Sequence, residues 1–122
     1  SVYIMAGQPE EALVRLRKSI AADPNNRAFY QQLEGWALCV MGRSSESVEV
    51  LKAGLELPSV PLLQAINYTA LGRSGDAKAE VAKALAMVPA MNRRRWALAN
   101  FYRDPAILQN QLAALAAAGL PE

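Results

Sequence analysis

Acid, base and nucleophile chemistry has little to work with in this sequence. Its 122 residues include no histidine, which removes Ser-His-Asp, Cys-His and histidine-metal arrangements together, because imidazole is the side chain that titrates near neutrality. The single cysteine, Cys39, has no basic neighbour or helix start to lower its pKa. It reads as a small buried apolar residue rather than a reactive thiol, and it excludes an internal disulfide. Glu34 stands on a mostly apolar helix, either paired with an arginine or exposed, and a lone carboxylate is no acid/base pair. Gly72 and Gly75 lack the spacing and the preceding strand of a phosphate-binding loop. No catalytic constellation can be assembled, so the chain is expected not to be an enzyme and to need no cofactor or metal.

The basic run Arg93-Arg94-Arg95 precedes Trp96. Three consecutive residues spread over ~300° of a helix and cannot form one patch. With a formal net charge of +2, there is no field to gather nucleic acid, and the run reads as a solvated face with Trp96 turned inward. The apolar runs are too short to cross a bilayer and the start carries no secretory pattern, so a cytoplasmic location is expected. The chain opens at Ser1, inside what reads as a helix, and is expected to be a piece of a longer protein.

What the sequence does offer is repetition. Three segments align: GQPEEALVRLRKSI from Gly7, GRSSESVEVLKAGL from Gly42 and GRSGDAKAEVAKAL from Gly72. In each, a small residue follows five positions after the glycine (Ala12, Ser47, Ala77). A branched apolar residue follows four later (Leu16, Leu51, Val81), and another four after that (Ile20, Leu55, Leu85). This is helical periodicity with one buried stripe. Pro24, Pro58 and Pro89 close the segments. The glycines stand where a preceding helix must stop and reverse. Pro9 suits a first helical turn, and Ser44 and Ser74 are expected N-caps. Glu10 and Glu11 favour the same first turn, and Glu11 with Arg15 forms an i,i+4 pair. Each glycine-led helix is preceded by another: the tail SVYIMA, then RAFYQQLEGWALCVM capped by Asn25 or Asn26, then PLLQAINYTAL opened by Pro61. The unit is helix–turn–helix.

This pattern resembles the tetratricopeptide repeat, whose unit of about 34 residues sets a small residue, a Gly-bearing turn, an aromatic, an Ala and a Pro at defined positions. The matching residues are Gly35 and Ala65, Tyr3 and Tyr68, Ala12 and Ala77, and Pro24 and Pro89. The middle copy departs with Leu38, Ser47 and an early Pro58. The resemblance covers residues 1–89. It implies an all-α, TPR-like right-handed α-solenoid (an α-α superhelix) of about two and a half repeats. Residues 90–122 are then expected to cap it within the same domain, through a helix over MNRRRWALANFY and another opened by Asp104 and Pro105 and closed by Gly119.

The tail is also similar to the ends of bacterial class III adenylate/guanylate cyclases that carry tetratricopeptide regions. The matching residues are Phe101, Asp104, Pro105, Leu115, Ala118, Gly119, Leu120, Pro121 and Glu122, with Ala116 and Ala117 where a basic residue is usual. That resemblance implies a signalling protein with its catalytic domain upstream, while nothing in this chain corresponds to the cyclase metal-binding carboxylates.

In such repeats the first helices line the concave face. There the second copy offers Phe29, Gln32, Leu33, Trp36, Cys39 and Val40, and the third offers Leu62, Leu63, Ile66, Thr69 and Ala70. An apolar strip of this size is usually covered by something. Three occupants stay open: the chain's own final helix or an upstream one, a partner peptide anchored on Trp36, or a second copy. The family's carboxylate clamp would fall on Gln32, Trp36, Leu62 and Ile66, which lack its charged residues. A protein-interaction or scaffold module is therefore expected, with a structural or oligomerisation element as the rival.

Overall fold

Glycine and proline divide the chain into seven α-helices among the residues that the computed structural model describes, 9–53, 57–99 and 105–122. They are α1 (Pro9–Ala22), α2 (Arg27–Val40), α3 (Ser44–Ala53), α4 (Ser59–Ala70), α5 (Ser74–Met87), α6 (Arg93–Ala99) and α7 (Pro105–Ala117), with a 3₁₀ turn at Pro24–Asn26. The protein is all-helical, and the described residues form no strand.

Local chemistry accounts for most boundaries. Proline occupies the first position of α1 and of α7, where its missing N–H costs nothing. Gly42, Gly72 and Gly119 adopt positive φ (78°, 75° and 97°) two residues past the last helical residue of α2, α4 and α7. In each case the residue after the glycine donates its N–H five residues back. Arg43 bonds to the Leu38 carbonyl, Arg73 to Tyr68 and Leu120 to Leu115, at 2.8–2.9 Å. These three helix ends share one turn geometry, and it satisfies carbonyls that helix termination would otherwise orphan.

Several expected boundaries move. Ser44 and Ser74 are the first helical residues rather than caps. Arg43 and Arg73 hold the acids of the first turn instead, with Arg43 reaching Glu46 at 2.7 Å and Arg73 reaching Asp76 at 2.7 Å. Asn26 does stand at the cap of α2, but its side chain makes no capping bond and donates to Asp23 at 2.6 Å. α4 begins at Ser59, so Pro61 is its third residue, still within the first turn where no intrahelical donor is needed. Asn92 caps α6 by accepting from the Arg95 N–H at 2.9 Å. The expected Asp104 cap and the copy of the pattern at Tyr3 and Gly7 lie outside the described residues.

Consecutive helices pack on one another from α1 to α5, α2 lies beside α4, and α7 returns onto α4. The small positions fall where backbones approach: Ser47 is fully buried and Ala77 nearly so. The side chain of Ala12 is not described. Leu16, Leu51 and Val81 are buried beside them. At Gly35 a Cβ would overlap the Leu51 side chain, so α2 and α3 meet there only because that position has no side chain. Most polar groups at this crossing bond to one another, while Asn67 Oδ1 is buried without a partner among the described residues. Ser47 Oγ donates to the Gly35 carbonyl at 2.6 Å and accepts from Asn67 Nδ2 at 2.8 Å. Gln64 Nε2 donates to the Val48 carbonyl at 3.1 Å. Three buried polar side chains thereby tie α2, α3 and α4 together without a charge. Glu34 pairs with Arg17 at 2.9 Å, linking α1 to α2.

Candidate functional site

A face of α2 and α4 was the expected site, and the structure brings only part of it together. Phe29 is exposed, its ring meeting Tyr30 edge-on at 5.6 Å. Leu33 is half-buried in a small cluster with Leu16 and Ala37, where α1 meets α2. Leu62 and Leu63 have no exposed surface and Gln32 is buried, so these three belong to the interior rather than to a groove wall. The physical reason is that α4 is surrounded by α2, α3, α5 and α7. A helix enclosed on so many sides buries residues all round, including Pro61 through Ala65 in succession.

Trp36, Val40 and Ile66 remain partly exposed, with Val40 and Ile66 on one opening and Trp36 on another. Trp36 stacks on Trp96 with ring centroids 5.9 Å apart and planes 25° apart. Trp96 is buried and donates from Nε1 to Gln111 Oε1 of α7 at 3.0 Å. Leu115, Ala118 and Leu120 join Leu62 and Leu63 in one core, and the Arg93 N–H bonds to the Pro121 carbonyl at 2.8 Å. The C-terminal unit thus crosses the expected face and leaves an opening on each side.

The first opening encloses about 500 Å³ between the ends of α2 and α4 and the flank of α7. Val40, Ile66, Thr69 and Ala70 line one wall, and Ile107, Asn110 and Ala114 line the other. Among the described residues, no charged side chain lines it. The second, also about 500 Å³, lies between Trp36, the start of α4 and α6, with Met91, Arg95, Trp96 and Leu98 on its walls. Of the residues expected at the site, Trp36, Val40 and Ile66 stand on these walls. Ile107, Asn110, Arg95 and Leu98 were not expected there and become lining only when α6 and α7 fold back. The i,i+3,i+7 spacing of Ile107, Asn110 and Ala114 was the available signal.

Cys39 borders the first opening yet is 8% exposed, and its Sγ lies 3.9 Å from the Leu63 carbonyl, to which it donates. Burial without a charged partner pushes its thiol pKa from 9.0 up to about 12. The thiol is therefore neutral across the physiological range, and a disulfide reagent at pH 8 should label it only in unfolded protein. Because the folded pKa is the higher one, the native state holds a proton that the unfolded chain loses between pH 9 and 12. Stability should fall there by up to about 1.4 kcal/mol per pH unit, and a Cys39→Ala variant should lack that slope in urea titrations.

Among the described residues, no group of three or more His, Cys, Asp or Glu stands together to hold a metal ion, and no helix is long and apolar enough to cross a membrane. No protein-family model matches the chain, no curated protein is similar to it, and no solved structure matches it.

Proposed function

We propose that the chain is a non-catalytic protein-interaction module built from tetratricopeptide-like helix pairs arranged as a right-handed solenoid. Support for the repeat comes from the shared turn at Gly42 and Gly72, the buried small residues Ser47 and Ala77 at matching positions, and the neighbouring first helices α2 and α4. The tail's likeness to tetratricopeptide-bearing bacterial cyclases supports a place at the end of a larger cytoplasmic signalling protein, the catalytic domain lying upstream.

One observation carries the interaction reading. After α7 has packed on α4, an opening bounded by Val40, Ile66 and Ile107 remains between the ends of α2 and α4 and the flank of α7, with no charged side chain among the described residues that line it. Its occupant is an uncharged, largely apolar peptide stretch, because charged side chains would enter it without a partner. The rival, a structural end element whose face is filled by its own chain, draws on Leu115, which is fully buried against the repeats.

Photo-crosslinking separates the two. With a benzophenone amino acid at position 40 or 66 of the full-length protein in its own cells, the interaction reading expects a discrete adduct with a second polypeptide. The exposed position 78 should give none. Crosslinks running solely to α7 would establish the self-filled reading instead.

A further inference from the structure

Charge pairing is uneven over the surface. Arg15, Arg17, Arg43, Lys52, Arg73 and Lys83 each stand within 4 Å of a carboxylate. The run Arg93-Arg94-Arg95 has no such partner among the described residues. Arg93 is half-buried where its N–H meets the Pro121 carbonyl, so the outward charges are Arg94 and Arg95. These two border the most exposed large apolar side chain described, Leu98, at 68%. Arg94 and Leu98 are i,i+4 neighbours on α6, and Arg95 and Leu98 are i,i+3 neighbours.

Arg95 and Leu98 stand on the walls of the second opening, whose base is the Trp36–Trp96 stack with Met91 beside it. Among the described residues, Ser59 and Arg95 are the non-aromatic polar side chains lining it. A large apolar patch rimmed by unpaired charge of one sign is suited to a ligand of the opposite sign with an apolar body.

We infer that this opening seats an acidic peptide segment, with one or two large apolar side chains over the tryptophan stack and carboxylates at Arg95 and Arg94. Nucleic acid fits less well. A phosphate backbone needs cations spaced along a track, whereas two arginines on one short helix over an otherwise apolar pocket offer a single point of charge. The site is distinct from the Val40–Ile66 opening, so the two readings stand or fall separately.

The experiment is selection of displayed random 12-residue peptides on the whole chain. Arg94→Glu/Arg95→Glu and Val40→Arg/Ile66→Arg proteins serve as parallel targets, each checked for native helicity. Recovered peptides should carry excess Asp and Glu around large apolar residues. They should lose about tenfold in affinity on the Glu double variant, the size of one charge-assisted contact, and bind the Arg double variant unchanged. Binding should weaken from 0.05 to 0.5 M salt. It should also shift the intrinsic tryptophan emission, since both tryptophans of the chain, Trp36 and Trp96, line this opening. The inference is overturned by no enrichment, by peptides indifferent to the Glu double variant, or by tighter binding of a single-stranded oligonucleotide than of any recovered peptide. Peptides lost only on the Arg double variant would overturn it while leaving the proposed function intact.

Discussion

Trp96→Ala should lower the unfolding free energy by about 3–5 kcal/mol, the range for deleting a buried aromatic. Trp96 is 3% exposed and joins three elements. Its ring stacks on Trp36 of α2, and its indole N–H bonds to Gln111 of α7 from a position on α6. Truncation therefore removes area burial, a ring pair worth about 0.5–1.5 kcal/mol, and the indole donor of a buried amide. Trp96→Phe keeps most of the ring and loses the donor, so its cost should be about 1–3 kcal/mol. Urea titration followed by far-UV circular dichroism measures both. Losses under 1 kcal/mol for Trp96→Ala would show that α6 is not held against α2 in solution.

Leu115→Ala should cost about 2–5 kcal/mol, whereas Leu98→Ala should stay within about 0.5 kcal/mol. Both residues lie in the C-terminal unit, and both are leucines on helices. The difference is burial, 0% against 68%. Leu115 sits in the same core as Leu62 and Leu63, so its methyl groups are packed by side chains of α4 rather than by water. The result also decides what α7 is. If α7 is part of the cooperative fold, amide exchange along α7 in the unmodified protein should proceed by the same opening as α4. Exchange of α7 alone at a much lower free energy would make it a displaceable cover, and Leu115→Ala would then leave the unfolding of the rest unchanged.

The Ser47 position shows how far pattern reading reaches. The glycine-anchored alignment places a small residue at 12, 47 and 77, and the described members of that set, Ser47 and Ala77, are buried at helix crossings. Why the middle copy carries Ser rather than Ala was not legible, because the answer lies in Asn67, twenty residues away, and in the Gly35 carbonyl. A polar residue in a periodic pattern is read as outward-facing by default. Ser47, Gln64 and Asn67 are inward because they supply one another's hydrogen bonds, and that becomes visible only once α2, α3 and α4 are side by side. The same limit applies to Leu62 and Leu63. Periodicity marks one stripe of a helix as buried, but a helix packed by four others buries most of its circumference, so the pattern does not mark off Leu62 and Leu63 from an exposed face.

By itself the sequence determined the all-helical class and most of the places where helices begin and end. Those are local matters: a left-handed glycine at 42, 72 or 119, a proline that cannot donate, and a period of 3.6 act within a few residues of themselves. The tertiary structure alone decided that α6 and α7 fold back across α2 and α4, which places Trp96 on Trp36 and divides the expected groove into two openings. The turns at Gly42, Gly72 and Gly119 share one geometry. Yet Arg43 and Arg73 follow two of them into solvent, while Leu120 follows the third into the core. That outcome depends on apolar surface contributed by distant helices, which no short stretch of the chain records.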